Sequence, residues 1–239
     1  MKHLLIVGRP GVGKTTLMAH LTYALRHRPI DGFLTEEVRE EGERLGFWLS
    51  PLDGRQVLLA HRRLEGGPRV GPYRVNISVL ENVAIPIIQR GIQHAFVLFL
   101  DELGKMELCS SVFAQAVQQA FDHGPSIVAT AGVSPIPFLE ALKRRRDVEI
   151  IPLTPANRGA VEEELTARLS ALCAEDEAVR ALQQQADRIC TNFFNSFVYD
   201  LGAYSQQHPE VLQIMAQSGF DVGQQQQLPG PAPSREMPP

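Results

Sequence analysis

The sequence predicts an α/β fold: a mainly parallel sheet with flanking helices, an inserted antiparallel β-meander and a helical C-terminal extension. Three observations predict it. Short apolar runs of strand length, HLLIV (His3–Val7), AFVLFL ahead of Asp101, SIVAT (Ser126–Thr130) and VEIIPL, have the continuous hydrophobicity of strands covered on both faces. Between them lie segments with apolar residues at helical spacing, so strand and helix alternate, as in layered folds with a parallel sheet. Third, β-rich pieces separated by Gly-containing turns follow the first helix.

The elements follow in order. HLLIV leads into a Gly/Pro-rich turn, and TTLMAHLTYALRHR then places Leu17, Leu21 and Leu25 on one helical face. IDGFLTEEVRE, ERLGFWLSP and RQVLLAHRR form the meander, with turns at Glu41-Gly42 and Asp53-Gly54. EGGPRVGPYRVN (Glu65–Asn76) is a loop ending in a short strand. ISVLENVAIPIIQRG is a helix kinked at Pro86. SSVFAQAVQQAFDHG is a helix with a Ser cap and a Gly stop. SPIPFLEALKRRR starts a helix with Ser134 at the N-cap and Pro135 at N1. TPANRGAVEEELTARL aligns Val161, Leu165, Leu169 and Leu172 on one face, and two or three further helices are expected over 175–217. The domain reading is 1–173 for the α/β domain, 174–218 for the helical extension and 219–239 for a disordered Gln/Pro-rich tail. No internal repeat is visible.

Composition narrows the function. The net charge of −4 over 239 residues offers no basic footprint for nucleic acid. No segment approaches the ~20 apolar residues of a membrane helix, and the first apolar run reads as a strand rather than a leader. Cys109, Cys173 and Cys190 form no CxxC pair and read as reduced, mostly buried thiols of a cytoplasmic protein.

The chemistry sits in two motifs. Gly8-Arg9-Pro10-Gly11-Val12-Gly13-Lys14-Thr15 fits G-x-x-x-x-G-K-[ST], between a buried strand and an amphipathic helix, which is the context this motif requires. Its glycines allow successive N–H groups to face phosphate oxygens, and the helix dipole adds positive potential. Lys14 is placed for the β- and γ-phosphates, Thr15 for Mg²⁺ and Thr16 for the α-phosphate. Such a cradle needs a magnesium acid from the end of a neighbouring strand. VLFLD supplies Asp101, and Glu102, one residue on, is the candidate that takes a proton from the attacking water. Glu107 reads as structural or exposed. Thr130, at the end of its strand beside the cradle, either senses the γ-phosphate or satisfies a backbone group.

Charge developing on the transferred phosphoryl group calls for a further cation, worth about 10³–10⁵ in rate. Lys105, past Gly104, is the first choice among Lys105, Arg158, Arg69 and Arg74. Arg158, at the start of the last domain helix, is equally placed for the base or ribose. The Arg144-Arg145-Arg146 run reads as a solvated helix end.

GRPGVGKTTL, GFLTEEVRE, RLGFW, DGRQVLLA, VGPYRVN, ENVAIPII, DELGKMELCS and TPANR occur in this order, and in this the chain resembles the cancer-related nucleoside triphosphatases over about residues 1–172. The resemblance implies a RecA-like P-loop fold and Mg²⁺-dependent hydrolysis of ATP, GTP, CTP, UTP and similar triphosphates to diphosphate and phosphate. It implies nothing for the tail. Two other readings share the cradle. One is a kinase acting on a small acceptor or an RNA end, for which Glu65–Arg74 is the one lid candidate. The other is a nucleotide-dependent switch, although the base-reading N-K-x-D pattern is absent. The expected partners are nucleoside triphosphates, with a monomer or weak homo-oligomer and a protein partner left open for the extension.

Overall fold

The computed structural model describes residues 3–207, with side chains described to residue 191 apart from 176. Among the described residues nine strands form one sheet. They are β1 (His3–Val7), β2 (Ile30–Glu40), β3 (Glu43–Pro51), β4 (Val57–His61), β5 (Arg69–Val70), β6 (Tyr73–Val75), β7 (Val97–Leu100), β8 (Ser126–Ala131) and β9 (Val148–Pro152). Their order is β5-β6-β4-β3-β2-β7-β8-β1-β9. Strands β2, β7, β8, β1 and β9 pair in parallel, and β3 to β6 add antiparallel strands beyond β2. Strand β8 therefore lies between the cradle strand β1 and the acid strand β7, the arrangement expected of a RecA-like sheet.

Alternation along the strands divides the core into two layers. Leu5, Leu98, Leu100, Ile127 and Ala129 face one side. There they meet α3 (Ile85–His94), α4 (Ser111–His123) and α5 (Pro137–Lys143) through Ile88, Phe113, Val117 and Leu139. Leu4, Ile6, Val97, Phe99 and Val128 face the other side, against Leu17, Met18 and Leu21 of α1 (Lys14–Ala24) and Val161, Leu165 and Leu169 of α6 (Arg158–Gln207). Each large side chain buried this way contributes about 1.5–3 kcal/mol relative to exposure.

Local chemistry sets the boundaries. Glu41 and Gly42 both have positive φ, 49° and 83°, as a tight hairpin between β2 and β3 requires. Ser110 caps α4 by accepting from Phe113 N–H at 3.1 Å, and Gly124 ends it. Before α3 the chain runs through α2 (Ile77–Val79) and a π turn (Leu80–Ala84). The widened turn lies where the Pro86 ring would otherwise press on the Asn82 carbonyl, so the irregularity precedes Pro86 rather than sitting at it.

Four expectations need correction. Helix α5 starts at Pro137 with Ile136 at the N-cap, not at Ser134-Pro135. Ser134 and Ile136 each precede a proline, which drives both out of helical geometry until the second proline. Residues 158–207 form one helix, α6, in place of a domain helix followed by separate ones. No proline interrupts that stretch. Arg145 is not a solvated charge: it bonds Asp147, Asp122 and the Phe121 carbonyl and lies 5.9 Å from the Phe121 ring centroid. Of the cysteines only Cys173 is buried; Cys109 is half-buried and Cys190 exposed, and none of the three is in a disulfide.

One compact unit ends at Glu175 and a second begins at Asp176, inside the span of α6. The tail at 219–239 lies outside the described residues. Among the described residues no helix is long and apolar enough to cross a membrane.

Gly32 ties β2 to β7. Its φ is 137°, and a Cβ there would collide with the Phe99 carbonyl. Gly32→Ala should therefore cost more than about 3 kcal/mol, combining a forbidden backbone with a clash. Gly54→Ala, at φ 88° in open space, should cost about 1–2 kcal/mol. Urea unfolding of the two variants checks the ordering.

Candidate functional site

The cradle forms where β1 ends. Gly8 N–H bonds the Ala131 carbonyl at 3.2 Å, and Leu153 N–H bonds the Val7 carbonyl at 2.8 Å, so the turn is held between the ends of β8 and β9. Gly13, the N-cap of α1, has φ 101°, which glycine alone adopts freely. Val12 packs in the core, leaving its backbone to the cradle, while Arg9, Pro10 and Gly11 are exposed. Lys14 is buried, with Nζ 3.4 Å from the Gly8 carbonyl and 3.3 Å from Glu102 Oε2.

Asp101, the residue after β7, is fully buried. Its Oδ1 accepts from the Thr130 hydroxyl and its Oδ2 from Thr35 N–H at 3.3 Å. The Thr15 hydroxyl also bonds this carboxylate, and the Thr35 hydroxyl donates to the Asp101 carbonyl. Thr130 thus gives its hydroxyl to the acid rather than to a backbone group. The Asp101-Glu102 peptide is cis. Glu102 is partly exposed. Glu107 is buried and accepts from Gly104 N–H at 3.0 Å, which makes it a brace for the loop that carries Glu102 and Lys105.

A cavity of about 790 Å³ joins these parts. Pro10, Lys14, Thr15, Thr16, Glu102 and Lys105 line one side, and residues of β2, β3 and the β5–β6 turn line the other. Lys105 is exposed at its edge. The Arg158 side chain lies over Gly13, where a Cβ would meet its Cδ and guanidinium at 3.2 Å. The side chains of Arg69 and Arg74 turn back on their own loop, onto the Gly71 and Gly67 carbonyls, and neither lines the cavity.

A family profile described as NTPase matches residues 3–166. The chain belongs to this NTPase family. Among its relatives, nucleoside-triphosphatase THEP1 of Thermotoga sp. (strain RQ2) is 43% identical over 162 residues, covering 68% of this chain and 92% of the relative. The cancer-related nucleoside-triphosphatase of Homo sapiens is 37% identical over 172 residues, covering 66% of this chain and 90% of the relative. The crystal structure of THEP1 from the hyperthermophile Aquifex aeolicus superimposes with a TM-score of 0.63 at 35% identity, over 69% of this chain and 96% of that one. Within the family fold, the parts that sequence reasoning missed are Thr35, Arg39 and Arg44. The alternation of β2 puts Thr35, Glu37 and Arg39 on one face, but nothing local says that this face looks at the cradle.

Electrostatics follow from burial. Burial pushes the Asp101 carboxyl up to about 6. The hydroxyls of Thr130 and Thr15 pull it down, the Glu102 charge pushes it up, and Thr35 N–H pulls it down. The donors near the cradle are hard oxygens, the Thr15 hydroxyl and the Asp101 carboxylate. Among the described residues no three His, Cys, Asp or Glu side chains form a metal cage. That set suits a cation held mainly by phosphate oxygens and water, as Mg²⁺ is.

Burial also pushes Glu107 up to about 8, and the Glu102 and Asp101 charges add to it. A carboxyl raised in the folded state favours folding while protonated. Its contribution is full below the unfolded value near 4.5 and is lost as pH climbs to about 8. Glu107→Gln should remove this slope, so its thermal midpoint relative to the parent should rise between pH 5 and pH 8. Thermal melts across that range in a chelating buffer check the sign.

Proposed function

We propose that this protein hydrolyses nucleoside triphosphates to the diphosphate and phosphate, with Mg²⁺ bound by Thr15 and, through water, by Asp101. The observation that carries the reading is the meeting of Lys14 Nζ and Glu102 Oε2 at 3.3 Å. A cation aimed at the terminal phosphates and a carboxylate able to take a proton from water converge on one point at the cradle mouth. The names of the relatives, nucleoside-triphosphatases at 37–43% identity, support the same activity.

The backbone from Gly8 to Gly13 and the start of α1 would hold the phosphates, with Thr16 near the α-phosphate. Arg158, lying over Gly13, would neutralise charge on the nucleoside side. When the terminal phosphate enters, Lys14 turns to it and releases the Glu102 carboxylate. Glu102 then orients a water in line with the γ-phosphorus and accepts its proton. Water oxygen bonds to phosphorus as the bond to the β–γ bridging oxygen breaks, and the diphosphate leaves. When bound, Mg²⁺ would neutralise charge on the β- and γ-oxygens. Lys105, on the loop braced by Glu107, is the cation proposed for charge on the equatorial oxygens. Broad tolerance among ATP, GTP, CTP and UTP is part of the proposal.

Three measurements test the core. Glu102→Gln should slow phosphate release by about 10²–10⁴ while triphosphate affinity stays within a few-fold; parental turnover would remove Glu102 from the mechanism. Lys105→Ala should lower kcat by up to about 10³ with KM little changed, if it acts on the transition state. Chelation of divalent cations should abolish release by the parent protein, with activity restored by Mg²⁺.

A further inference from the structure

The cavity of about 790 Å³ extends past the cradle to a second wall, lined by Arg39, Arg44, Phe47 and Tyr73. Strand order gives the direction. On one side of β1 lies β9, followed by the Arg158 side chain over Gly13. On the other side come β8, β7 and β2 in turn, and Lys14 meets Glu102 there. With Lys14 on the terminal phosphate, the nucleoside end points toward β9. On that reading the space over β2 and β3 lies beyond the terminal phosphate.

The wall of that space has a specific chemistry. Arg44 donates from NH1 to Glu37 Oε1 at 2.8 Å, and Arg39 from Nε to Glu37 Oε2 at 2.7 Å. Two guanidinium groups thus share one carboxylate, Arg39 also donates to the Gly42 carbonyl at 2.9 Å, and Glu36 lines the same wall; each guanidinium keeps unused planar N–H donors of the kind that grip phosphate. Arg44 Nε also bonds the Tyr73 hydroxyl at 3.1 Å, and its Cζ lies 5.4 Å from the Phe47 ring centroid. The Phe47 and Tyr73 rings meet edge to face with centroids 5.2 Å apart. Arg39, Arg44, Phe47 and Tyr73 all line the cavity. Cationic forks beside two aromatic rings fit one ligand class, a phosphate ester carrying a flat ring.

We propose that Arg39, Arg44, Phe47 and Tyr73 form a subsite for a second small molecule, a ring-bearing phosphate monoester, seated beyond the terminal phosphate of the bound triphosphate. Its placement rests on the reading of the cradle as a triphosphate site. Glu37 holds the two arginines in position until the ligand's phosphate joins them, and the rings give its flat group an apolar surface.

The test is calorimetric titration with AMP, GMP, CMP and UMP, with and without a saturating non-hydrolysable triphosphate analogue and Mg²⁺. Adenosine and inorganic phosphate are separate arms. At least one monophosphate should bind the analogue-saturated protein in a saturable way, and adenosine and inorganic phosphate at least tenfold more weakly. Arg39→Gln and Arg44→Gln, both exposed positions, should each weaken that binding at least tenfold without changing analogue affinity. Phe47→Leu should weaken it while sparing inorganic phosphate. The proposal is overturned if no monophosphate binds, if binding is unchanged in the arginine variants, or if it disappears whenever the analogue is present. Failure of the analogue itself to bind the parent protein would count against the triphosphate reading. In that event the arginine variants still decide the subsite from titrations without it.

Discussion

A buried carboxylate at the end of β7 organises the site. Asp101 has no exposed surface, and an ionised group in that position costs several kcal/mol unless its oxygens are satisfied. The partners come from three elements: Thr15 from α1, Thr35 from β2 and Thr130 from β8. The acid therefore fixes where the cradle helix begins relative to the strand ends. Lys14, one residue before Thr15, and Glu102, one residue after Asp101, are brought together by the same clamp. The geometry offered to a phosphate chain depends on satisfying this one group.

The ends of the strands divide the crevice into regions of different character. Over the start of α1 the surface is glycine backbone with Arg158 above it. At its middle lies the pair of Lys14 and Glu102. Beyond them stand Arg39 and Arg44 around Glu37. Opposite charges alternate along this line, so an extended anion meets positive groups at both ends with a carboxylate between them. A field of that form favours ligands whose negative charge is also divided.

Much of this was legible because it is local. The apolar runs marked β1, β7, β8 and β9, the glycine pattern marked the cradle, and two adjacent acids after VLFL marked Asp101 and Glu102. Ser110 and Gly124 bounded α4 as their chemistry requires. What escaped is non-local. Thr35 looks like any strand threonine until β2 is placed beside β7, and Thr130, though singled out by its place at a strand end, shows its partner Asp101 only once β8 lies beside β7. Arg39 and Arg44 read as hairpin charges, because alternation gives a face but not what the face looks at. Arg69 and Arg74 were drawn to the site by charge alone, whereas each has a carbonyl within its own loop. Arg145 looked solvated in its run of three and instead joins α4 to the chain before β9 through Asp122 and Asp147.

Strand β2 changes partner and direction along its length. Ile30 to Phe33 run parallel to β7, and from Phe33 onward the strand pairs antiparallel with β3 across a two-residue turn. The two halves face different entropic demands. Closing the hairpin joins near neighbours, while seating Ile30 beside Val97 closes a loop longer by more than an order of magnitude. That difference is on the order of 3 kcal/mol of chain entropy. The hairpin therefore closes at a lower entropic cost than the parallel core beside it. The wall bearing Arg39, Arg44 and Phe47 belongs to the part whose pairing is local in sequence, and Asp101 to the part whose partners come from distant strands.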